Sequence, residues 1–352
     1  ERGNEMKNIR IGTIGCGGIA NGVHLPQLSK LEGVEIAALC DVNPKALAET
    51  GDKYGVPEGR RFTDYCQLIA CPEVDAVDIC TPNSFHCLMA MAAVEAGKPF
   101  CVEKPVGIGS DEVERLRDAA KEAGIPAMVC FSYRFMPAVR YARRYVDDGK
   151  LGRINSVYVQ YLKDSAFMKG RRLDWRFVRE YARYGVSGDL GVHLLDLAAF
   201  LAGPVSKVSA DLQTVVKERK RLDSEETAPV ETDDTCNFLA EFADGALGTF
   251  GITRCAMGHK NTISMDVYGD KGAIRFNLNH NDRLWMLEDE KFEEHAVPEE
   301  FFAHSVQMKE FIDLLRGAPD RYTPGLDDGL ACQKVLDAIL ESSENRCWVK
   351  IR

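Results

Sequence analysis

An acid and a histidine lie one helical turn apart near the middle of the sequence. Asp189, His193 and Asp196 follow the spacing i, i+4, i+7, which places them on one face of a helix. The other face carries an apolar stripe of Leu190, Leu194, Leu197 and Leu201. An acid one turn before a histidine can orient the ring and raise its basicity, as a general base that removes a hydroxyl proton requires. We therefore predict proton transfer by Asp189 and His193, and we interpret Asp196 as structural.

This helix has a simpler explanation when it is considered alone. An aspartate in a first helical turn is favoured by the helix dipole, and the histidine could be incidental. The catalytic interpretation therefore depends on other residues. One of them is Lys104, which follows the short apolar run 100–102 and precedes a proline. Because proline biases the preceding residue toward an extended conformation, we expect Lys104 to project from a strand end and polarise the same hydroxyl oxygen. The sequence leaves open whether Lys104 or His193 is the base.

A glycine-rich turn near the start of the chain predicts a dinucleotide site. It has the pattern G-x-G-x-x-A, formed by Gly15, Gly17, Gly18 and Ala20. Such glycines let backbone N–H groups approach a pyrophosphate at a helix N-terminus. Asp41 ends the second apolar run, where a carboxylate would bind the ribose 2′-hydroxyl of NAD and repel the 2′-phosphate of NADP. We predict NAD, with NADP less favoured; the alternative is a structural turn in which Asp41 caps the next helix.

Further cofactor contacts are expected at the carboxyl edge of the sheet. Thr81, Asn83 and His86 follow the fourth apolar run, and Glu103 and Lys104 follow the fifth. Ligands of open α/β sheets bind at this edge. His86 could equally be the first residue of a helix.

The elements that position these residues fall into two groups. In residues 6–130, apolar runs alternate with helical segments, which predicts parallel βαβ units and a doubly wound sheet. The runs are 9–14, 34–40, 74–80, 100–102 and 127–130. Residues 131–352 carry longer alternating runs joined by Gly-containing turns, which predicts a second domain of α+β type with antiparallel strands. We interpret the charged segment 217–233 as a solvated loop.

Composition excludes several classes of protein. With 352 residues, 45% hydrophobic and 28% charged, the chain is too long for a disulfide-stapled scaffold and too apolar for wholesale disorder. The net charge of −10 disfavours nucleic acid as a partner. No apolar stretch is long enough to span a bilayer, and the chain opens without the pattern of a secretory signal, so we expect no membrane partner and a cytoplasmic location.

The twelve cysteines do not indicate a metal site. None of them forms a C-x-x-C pair, and Cys40, Cys80, Cys101 and Cys130 lie within or at the ends of apolar runs. Metal clusters require short paired spacings of ligands. We interpret these residues as reduced thiols in the protein core, and we predict no metal.

Together, the glycine turn, Asp41, the Glu103-Lys104-Pro105 segment and the Asp189-x-x-x-His193 helix resemble the glucose-fructose oxidoreductase / inositol dehydrogenase / MocA (Gfo/Idh/MocA) family. The resemblance covers nearly the whole chain. It implies a Rossmann domain for the nicotinamide cofactor, followed by a substrate domain on a large open, mainly antiparallel sheet. It also implies packing of sheet against sheet in homo-oligomers.

The resemblance also assigns site residues. Lys104, Asp189 and His193 match the catalytic set of the family, and the last two also count as substrate contacts. Two segments of this chain resemble segments that line the cleft in related members. One contains Tyr133 and Arg134, and the other contains Trp175 and Arg176. Residues 158–184, rich in aromatic and basic side chains, are expected to select the substrate, although an oligomer surface or a solvated loop would have the same composition.

The resulting hypothesis is reversible hydride transfer between the nicotinamide and a secondary hydroxyl of a small molecule. We expect a sugar, a glycoside oxidised at C3 or elsewhere, or a cyclitol. Two alternatives remain. An NAD-dependent glycosidase would oxidise C3 transiently and eliminate the leaving group, and a non-catalytic sugar or NAD sensor would lack the catalytic set.

Overall fold

The computed structural model describes residues 8–352, which form two compact units. The first contains residues 8–107, 111–130 and 306–327, and the second contains residues 108–110, 131–305 and 328–352. With the predicted boundary after residue 130, most residues fall in the same unit as in the structure. The difference is residues 306–327, which the prediction places in the second domain and the structure groups with the first unit.

The first unit is built on a six-stranded parallel sheet with the strand order β3-β2-β1-β4-β5-β6. The strands are β1 (Ile9–Ile14), β2 (Val34–Cys40), β3 (Arg61–Phe62), β4 (Ala76–Ile79), β5 (Phe100–Val102) and β6 (Ala127–Val129). Successive strands are added toward one edge from β1 to β3 and toward the other edge from β4 to β6, and this change between β1 and β4 creates the crevice where doubly wound sheets bind dinucleotides. The predicted Rossmann architecture is confirmed.

Ten α-helices are assigned in residues 8–352. They are α1 (Leu25–Leu28), α2 (Pro44–Tyr54), α3 (Tyr65–Ala70), α4 (His86–Glu95), α5 (Ser110–Glu122), α6 (Pro137–Asp147), α7 (Arg179–Ala182), α8 (Val192–Ala202), α9 (Gln307–Leu315) and α10 (Leu326–Asn345). Helix α9 packs against α1, and the backbone N–H of Met308 donates to the side chain of Gln27 at 3.1 Å. This packing explains why residues 306–327 belong to the first unit.

The second unit is built on a nine-stranded mixed sheet with the order β16-β15-β14-β13-β7-β12-β11-β8-β17. Its strands are β7 (Ile154–Leu162), β8 (Val205–Gln213), β11 (Thr235–Phe242), β12 (Leu247–Thr253), β13 (Thr262–Gly269), β14 (Ala273–Asn277), β15 (Arg283–Glu288), β16 (Lys291–Ala296) and β17 (Val349–Lys350). Strands β7 and β12 pair in parallel and the other neighbours are antiparallel. The predicted large, mainly antiparallel sheet is confirmed.

Alternation of side chains gives this sheet two different faces. Cys236, Phe238 and Ala240 on β11 are buried, whereas the intervening Leu239 is exposed. Helix α8 packs on the sheet at β7, and nearly all of its residues are buried. The segment Arg179–Ala202 has the length and hydropathy of a membrane span, but 83% of its apolar 18-residue stretch is buried inside the structure. It is therefore a core segment.

The prediction of a solvated loop at residues 217–233 is wrong. The segment forms a hairpin of β9 (Glu218–Lys220) and β10 (Thr227–Pro229). Arg219 and Asp233 are buried, and the Asp233 carboxylate accepts hydrogen bonds from the backbone N–H groups of Gly185 and Ser187, at 2.7 and 2.8 Å. The high proportion of charged residues led to the wrong prediction, because two of them, Arg219 and Asp233, lie in the protein interior.

Candidate functional site

The glycine turn follows β1 directly, and its first glycine is required by the backbone. Gly15 has φ +95°, and a Cβ at this position would lie 2.5 Å from the carbonyl oxygen of Cys80. Gly17 and Gly18 are exposed, and a Cβ on either would meet nothing within 4 Å. The turn is therefore tight on the protein side and open on the other, as a backbone that carries a pyrophosphate requires. Ala20 is buried and begins a single π-helical turn, Ala20–His24.

The Asp41 carboxylate lies beside this turn. Its Oδ2 accepts a hydrogen bond from the backbone N–H of Cys16 at 2.7 Å, and its Oδ1 accepts one from Asn43 at 2.7 Å. Asn43, rather than Asp41, caps α2, since its side chain accepts from the backbone N–H groups of Lys45 and Ala46. Asp41 is thus held at the end of β2 against the glycine turn, where a ribose-binding acid is expected.

The residues after β4 differ in exposure. Thr81 is half-buried, whereas Asn83 and His86 are buried. The ring of His86 lies between the carbonyl oxygens of Thr81 and Pro105, each 2.8 Å from a ring nitrogen. Burial lowers the pKa of His86. These contacts tie the segment after β4 to the segment after β5, so they support a structural role for His86 instead of the predicted contact with the cofactor.

Glu103 and Lys104 follow β5. Glu103 is buried, and its Oε2 accepts a hydrogen bond from the backbone N–H of Lys104 at 3.2 Å. Its Oε1 lies 3.0 Å from Nε2 of His24. Lys104 is half-buried and is joined to Pro105 by a cis peptide bond. Glu103 therefore contacts the backbone of Lys104 and a buried ring, and its predicted contact with the cofactor is not supported by these bonds.

In the second unit, Asp189 lies in a π-helical turn, Ser187–Gly191, that leads into α8. Its carboxylate is 30% exposed and is flanked by two guanidinium groups. Oδ1 is 3.7 Å from Nε of Arg176, and Oδ2 is 3.9 Å from Nη2 of the buried Arg254. Both distances are ion-pair separations that are too long for hydrogen bonds. Two positively charged groups therefore lie beside this carboxylate.

His193 lies in the first turn of α8 and is only 7% exposed. Its ring packs on that of Tyr133, with centroids 4.4 Å apart. The hydroxyl of Tyr133 is 2.8 Å from that of Tyr161, which donates to Oδ1 of Asn261 at 2.8 Å. Since a hydroxyl has one proton, Tyr133 donates to Tyr161. Burial raises the pKa of Tyr161, so its hydroxyl stays neutral.

Two family models match the chain. One describes an oxidoreductase family with an NAD-binding Rossmann fold and covers residues 9–131, and the other describes the GFO/IDH/MocA C-terminal domain and covers residues 139–275. The chain belongs to the Gfo/Idh/MocA family. It is an NAD-dependent oxidoreductase that acts on CH–OH groups, as the sequence predicts.

Individual relatives agree with this assignment. Levoglucosan dehydrogenase of Pseudarthrobacter phenanthrenivorans is 33% identical over 299 residues, which cover 79% of this chain and 76% of the relative. The crystal structure of an oxidoreductase domain protein from Kribbella flavida matches with a TM-score of 0.91 and 32% identity, covering 99% of this chain and all of that one. A structure of levoglucosan dehydrogenase in complex with NADH and L-sorbose matches with a TM-score of 0.88 and 29% identity, covering 99% and 100% of the two chains.

Arg134 does not fit the predicted contact with substrate. The side chain is buried, its Nε lies 3.1 Å from Oδ2 of Asp196, and its Nη2 contacts Oδ1 of the same carboxylate. Nη2 also lies 2.9 Å from Oδ1 of Asp328. These contacts agree with the structural interpretation of Asp196. In this member of the family, the charge of Arg134 is paired inside the second unit.

The Trp175–Phe177 turn lies within the aromatic and basic segment 158–184, and its Arg176 contacts Asp189. Asp174 caps the turn by accepting from the backbone N–H of Arg176 at 2.9 Å. The guanidinium of Arg176 lies 4.4 Å from the centroid of the Trp175 ring. Arg176, with the Trp175 ring against its guanidinium, therefore lies beside the Asp189 carboxylate.

Sequence reasoning missed Arg254. It follows β12 directly and is 1% exposed, and its guanidinium lies 5.3 Å from the centroid of the Phe177 ring. A charged residue at the end of an apolar strand was the available signal. Nothing in the sequence indicated that Arg254 lies beside Asp189, which is 65 positions earlier in the chain.

Proposed function

We propose that this enzyme oxidises, reversibly, a secondary hydroxyl of a sugar, a glycoside or a cyclitol, with position C3 included. The observation that carries the proposal is the arrangement at the start of α8. Asp189 is a partly exposed carboxylate held between two arginines, and His193 packs one turn later on a tyrosine. The levoglucosan dehydrogenase structure that contains L-sorbose supports a sugar-like ring as substrate.

Roles for the side chains follow from their chemistry. NAD, when bound by the glycine turn and Asp41, would supply the hydride acceptor. Lys104 would polarise the reacting hydroxyl oxygen, and His193 would take its proton. Asp189, ionised between Arg176 and Arg254, would accept a hydrogen bond from the histidine or from the substrate. In this scheme the first unit binds the cofactor and the second unit binds the substrate.

Substrate selection is assigned to residues near Asp189. The Trp175 ring offers an apolar face of the kind that packs against sugar rings, and Arg176 supplies hydrogen-bond donors for hydroxyls or an anionic group. Tyr133 is held beside His193 by its hydrogen bond to Tyr161. We propose Tyr133, Trp175 and Arg176 as the side chains that contact the substrate.

The test is a comparison of Lys104→Ala with Lys121→Ala, an exposed lysine on α5 that serves as the matched control. Each protein is incubated with NAD and a panel of sugars, glycosides and cyclitols, and NADH is followed by absorbance. Lys104→Ala should lower kcat by about 10²–10⁴-fold without weakening NAD binding. A Lys104→Ala enzyme with the turnover of the control would refute the assignment. Net accumulation of NADH also distinguishes a dehydrogenase from a glycosidase, which would regenerate its NAD in each cycle.

We also propose that the enzyme is a homo-oligomer that uses the outer face of the large sheet. Tyr158, Leu239 and Leu247 on that face are 53%, 48% and 59% exposed. Exposed apolar residues grouped on one face of a sheet are typical of a protein interface. Leu239→Lys should dissociate the assembly in light scattering, whereas Leu222→Lys in the β9–β10 turn should not. Equal masses for the wild type and Leu239→Lys would contradict the proposed interface.

A cytoplasmic location is proposed as well. The twelve cysteines of the chain are free thiols, and nine of them are buried. Thiols persist in reducing compartments, which supports the cytoplasm.

A further inference from the structure

A fully buried histidine lies between two acids in the first unit. His24 ends the π-helical turn that follows the glycine turn. Its Nδ1 is 2.8 Å from Oδ1 of Asp78, a buried residue on β4, and its Nε2 is 3.0 Å from Oε1 of Glu103. Both are hydrogen-bond distances. The ring therefore bridges β4 and the end of β5.

The proton count of this bridge, with a carboxylate at each ring nitrogen, favours a positively charged ring. A neutral imidazole has one N–H, so it can donate to only one of two carboxylates. A doubly protonated ring donates to both and balances part of their charge. Burial lowers the pKa of His24, but the acidic surroundings of the ring, the Asp78 carboxylate among them, raise it by more, and the pKa lies well above its ordinary value. Burial raises the pKa of Asp78, and His24 lowers it by more, so that pKa lies below its ordinary value.

The remaining neighbours of the ring are the amide of Gln307 and three thiols. Nε2 of Gln307 lies 3.3 Å from Nε2 of His24, while the buried Oε1 of Gln307 lacks a hydrogen-bond partner among the described residues. Rotating this amide by half a turn would place an acceptor against the ring N–H. Burial raises the pKa of the thiols of Cys80 and Cys101, so both are neutral, and Cys101 donates to Asp78 at 3.3 Å. Cys130 lies near Nε2 and the Glu103 carboxylate.

The bridge leads to Lys104. Glu103 uses one carboxylate oxygen for His24 and the other for the backbone N–H of Lys104. We propose that His24 is a positioning residue: its doubly protonated ring fixes the Glu103 carboxylate and, through it, the backbone from which the Lys104 side chain projects. This inference rests on the catalytic role proposed for Lys104. It gives Glu103 a function that is independent of direct contact with the cofactor.

A metal ion is the alternative occupant of this cluster. The candidate ligand sets are His24 with Asp78 and Cys80, and His24 with Glu103 and Cys130. The two sets use different ring nitrogens, and each nitrogen already lies at hydrogen-bond distance from a carboxylate oxygen. Protons therefore account for these contacts, and elemental analysis of the purified protein tests the alternative directly.

The kinetic test compares variants around the bridge. His24→Met and Glu103→Gln should each lower kcat by about 10²-fold, as misplacement of a catalytic group does, while NAD affinity stays at the wild-type value. The double variant should lose no more than the more impaired single variant, because both substitutions break one connection. His24→Gln should retain more activity than His24→Met, since its amide has two N–H donors. The control is Thr13→Val, which removes a 3.2 Å hydrogen bond to the far oxygen of Asp78 and should leave kcat unchanged.

A spectroscopic test on the wild-type protein does not depend on activity. In wild-type protein labelled with ¹⁵N-histidine, long-range ¹H–¹⁵N spectra distinguish an imidazolium from the two neutral tautomers. We expect one ring to remain doubly protonated from about pH 6 to pH 8, where ordinary histidines lose their charge. Loss of that signal in His24→Gln assigns it.

The outcomes separate the inference from the proposed function. Loss of activity in Lys104→Ala, together with wild-type kcat in His24→Met and Glu103→Gln, would overturn the inference alone. Full activity in Lys104→Ala would refute the catalytic role proposed for Lys104 and the inference with it. A neutral ring in the spectra, or a stoichiometric metal ion that departs on substitution of His24, would overturn the inference whatever the kinetics.

Discussion

Substitution of Gly15 by alanine tests the structural requirement of the cofactor turn. The residue has φ +95°, and a Cβ there would lie 2.5 Å from the Cys80 carbonyl oxygen and 2.8 Å from its carbon. The clash is with backbone that cannot move freely, because the N–H of Cys80 donates to the carbonyl of Ile14 at 2.8 Å. Positive φ costs an alanine about 1–2 kcal/mol. Overpacking adds about 1–3 kcal/mol. Gly15→Ala should therefore destabilise the protein by about 2–5 kcal/mol.

Gly17→Ala is the matched comparison. A Cβ at Gly17 would meet no protein atom within 4 Å, so the free energy of unfolding should change by less than about 0.5 kcal/mol. The methyl group would instead occupy the open side of the turn, which is where the backbone should approach the pyrophosphate. We expect NAD affinity to fall by at least about tenfold, or about 1.4 kcal/mol. The two glycines thus separate stability from binding.

The assays are urea denaturation without cofactor and calorimetric titration with NAD. Gly15→Ala should lose stability and NAD affinity together, because the turn must shift to relieve the clash. Gly17→Ala should lose affinity alone. Wild-type stability in Gly15→Ala would refute the steric argument, and wild-type NAD affinity in Gly17→Ala would show that the cofactor does not use the open side of the turn.

Three other substitutions test single residues. Asp41→Ala should lower the ratio of kcat/KM for NAD to that for NADP by at least about tenfold, because the carboxylate that repels a 2′-phosphate is removed; steady-state kinetics with both cofactors measure it. Arg254→Lys should keep more turnover than Arg254→Met if a positive charge opposite Asp189 is what matters, and equal losses would instead implicate packing on Phe177. Burial raises the pKa of Asp196 to about 6, against the opposing charge of Arg134, so between about pH 4 and pH 6 the folded protein binds more protons than the unfolded chain. The stability of the wild type relative to Asp196→Asn should therefore fall by up to about 3 kcal/mol as the pH rises through that range, and a pH-independent difference in urea denaturation would contradict this.

Elements with strong local signals could be predicted from the sequence. The predicted runs 9–14, 34–40 and 100–102 coincide with β1, β2 and β5. Helix α2 begins at Pro44, because Pro44 occupies the first helical position and Asn43 caps the helix. Periodicity and capping are encoded within a few residues. The hairpin at 217–233 was missed, since its two buried charged residues, Arg219 and Asp233, are covered by distant parts of the second unit.

The candidate site was predictable where a motif specifies its own geometry. Gly15 must be glycine because of the local turn, and Asp41 reaches the same turn from the end of the neighbouring strand. Arg134 shows the limit of such reasoning. Its segment matched the family pattern, but the destination of its guanidinium depended on Asp196 and Asp328, which are 62 and 194 positions away.

The same limit applies to His24, because the motif that contains this residue does not indicate its contacts. By position it belongs to the helix after the glycine turn, and its partners Asp78 and Glu103 follow 54 and 79 positions later. Only a parallel sheet brings these segments together, because β1, β4 and β5 are neighbours with aligned carboxyl ends. The fold that creates the dinucleotide crevice therefore also links the His24 ring, through Glu103, to the backbone of Lys104. A substitution at His24 should consequently change the chemical step without changing the surface that binds NAD.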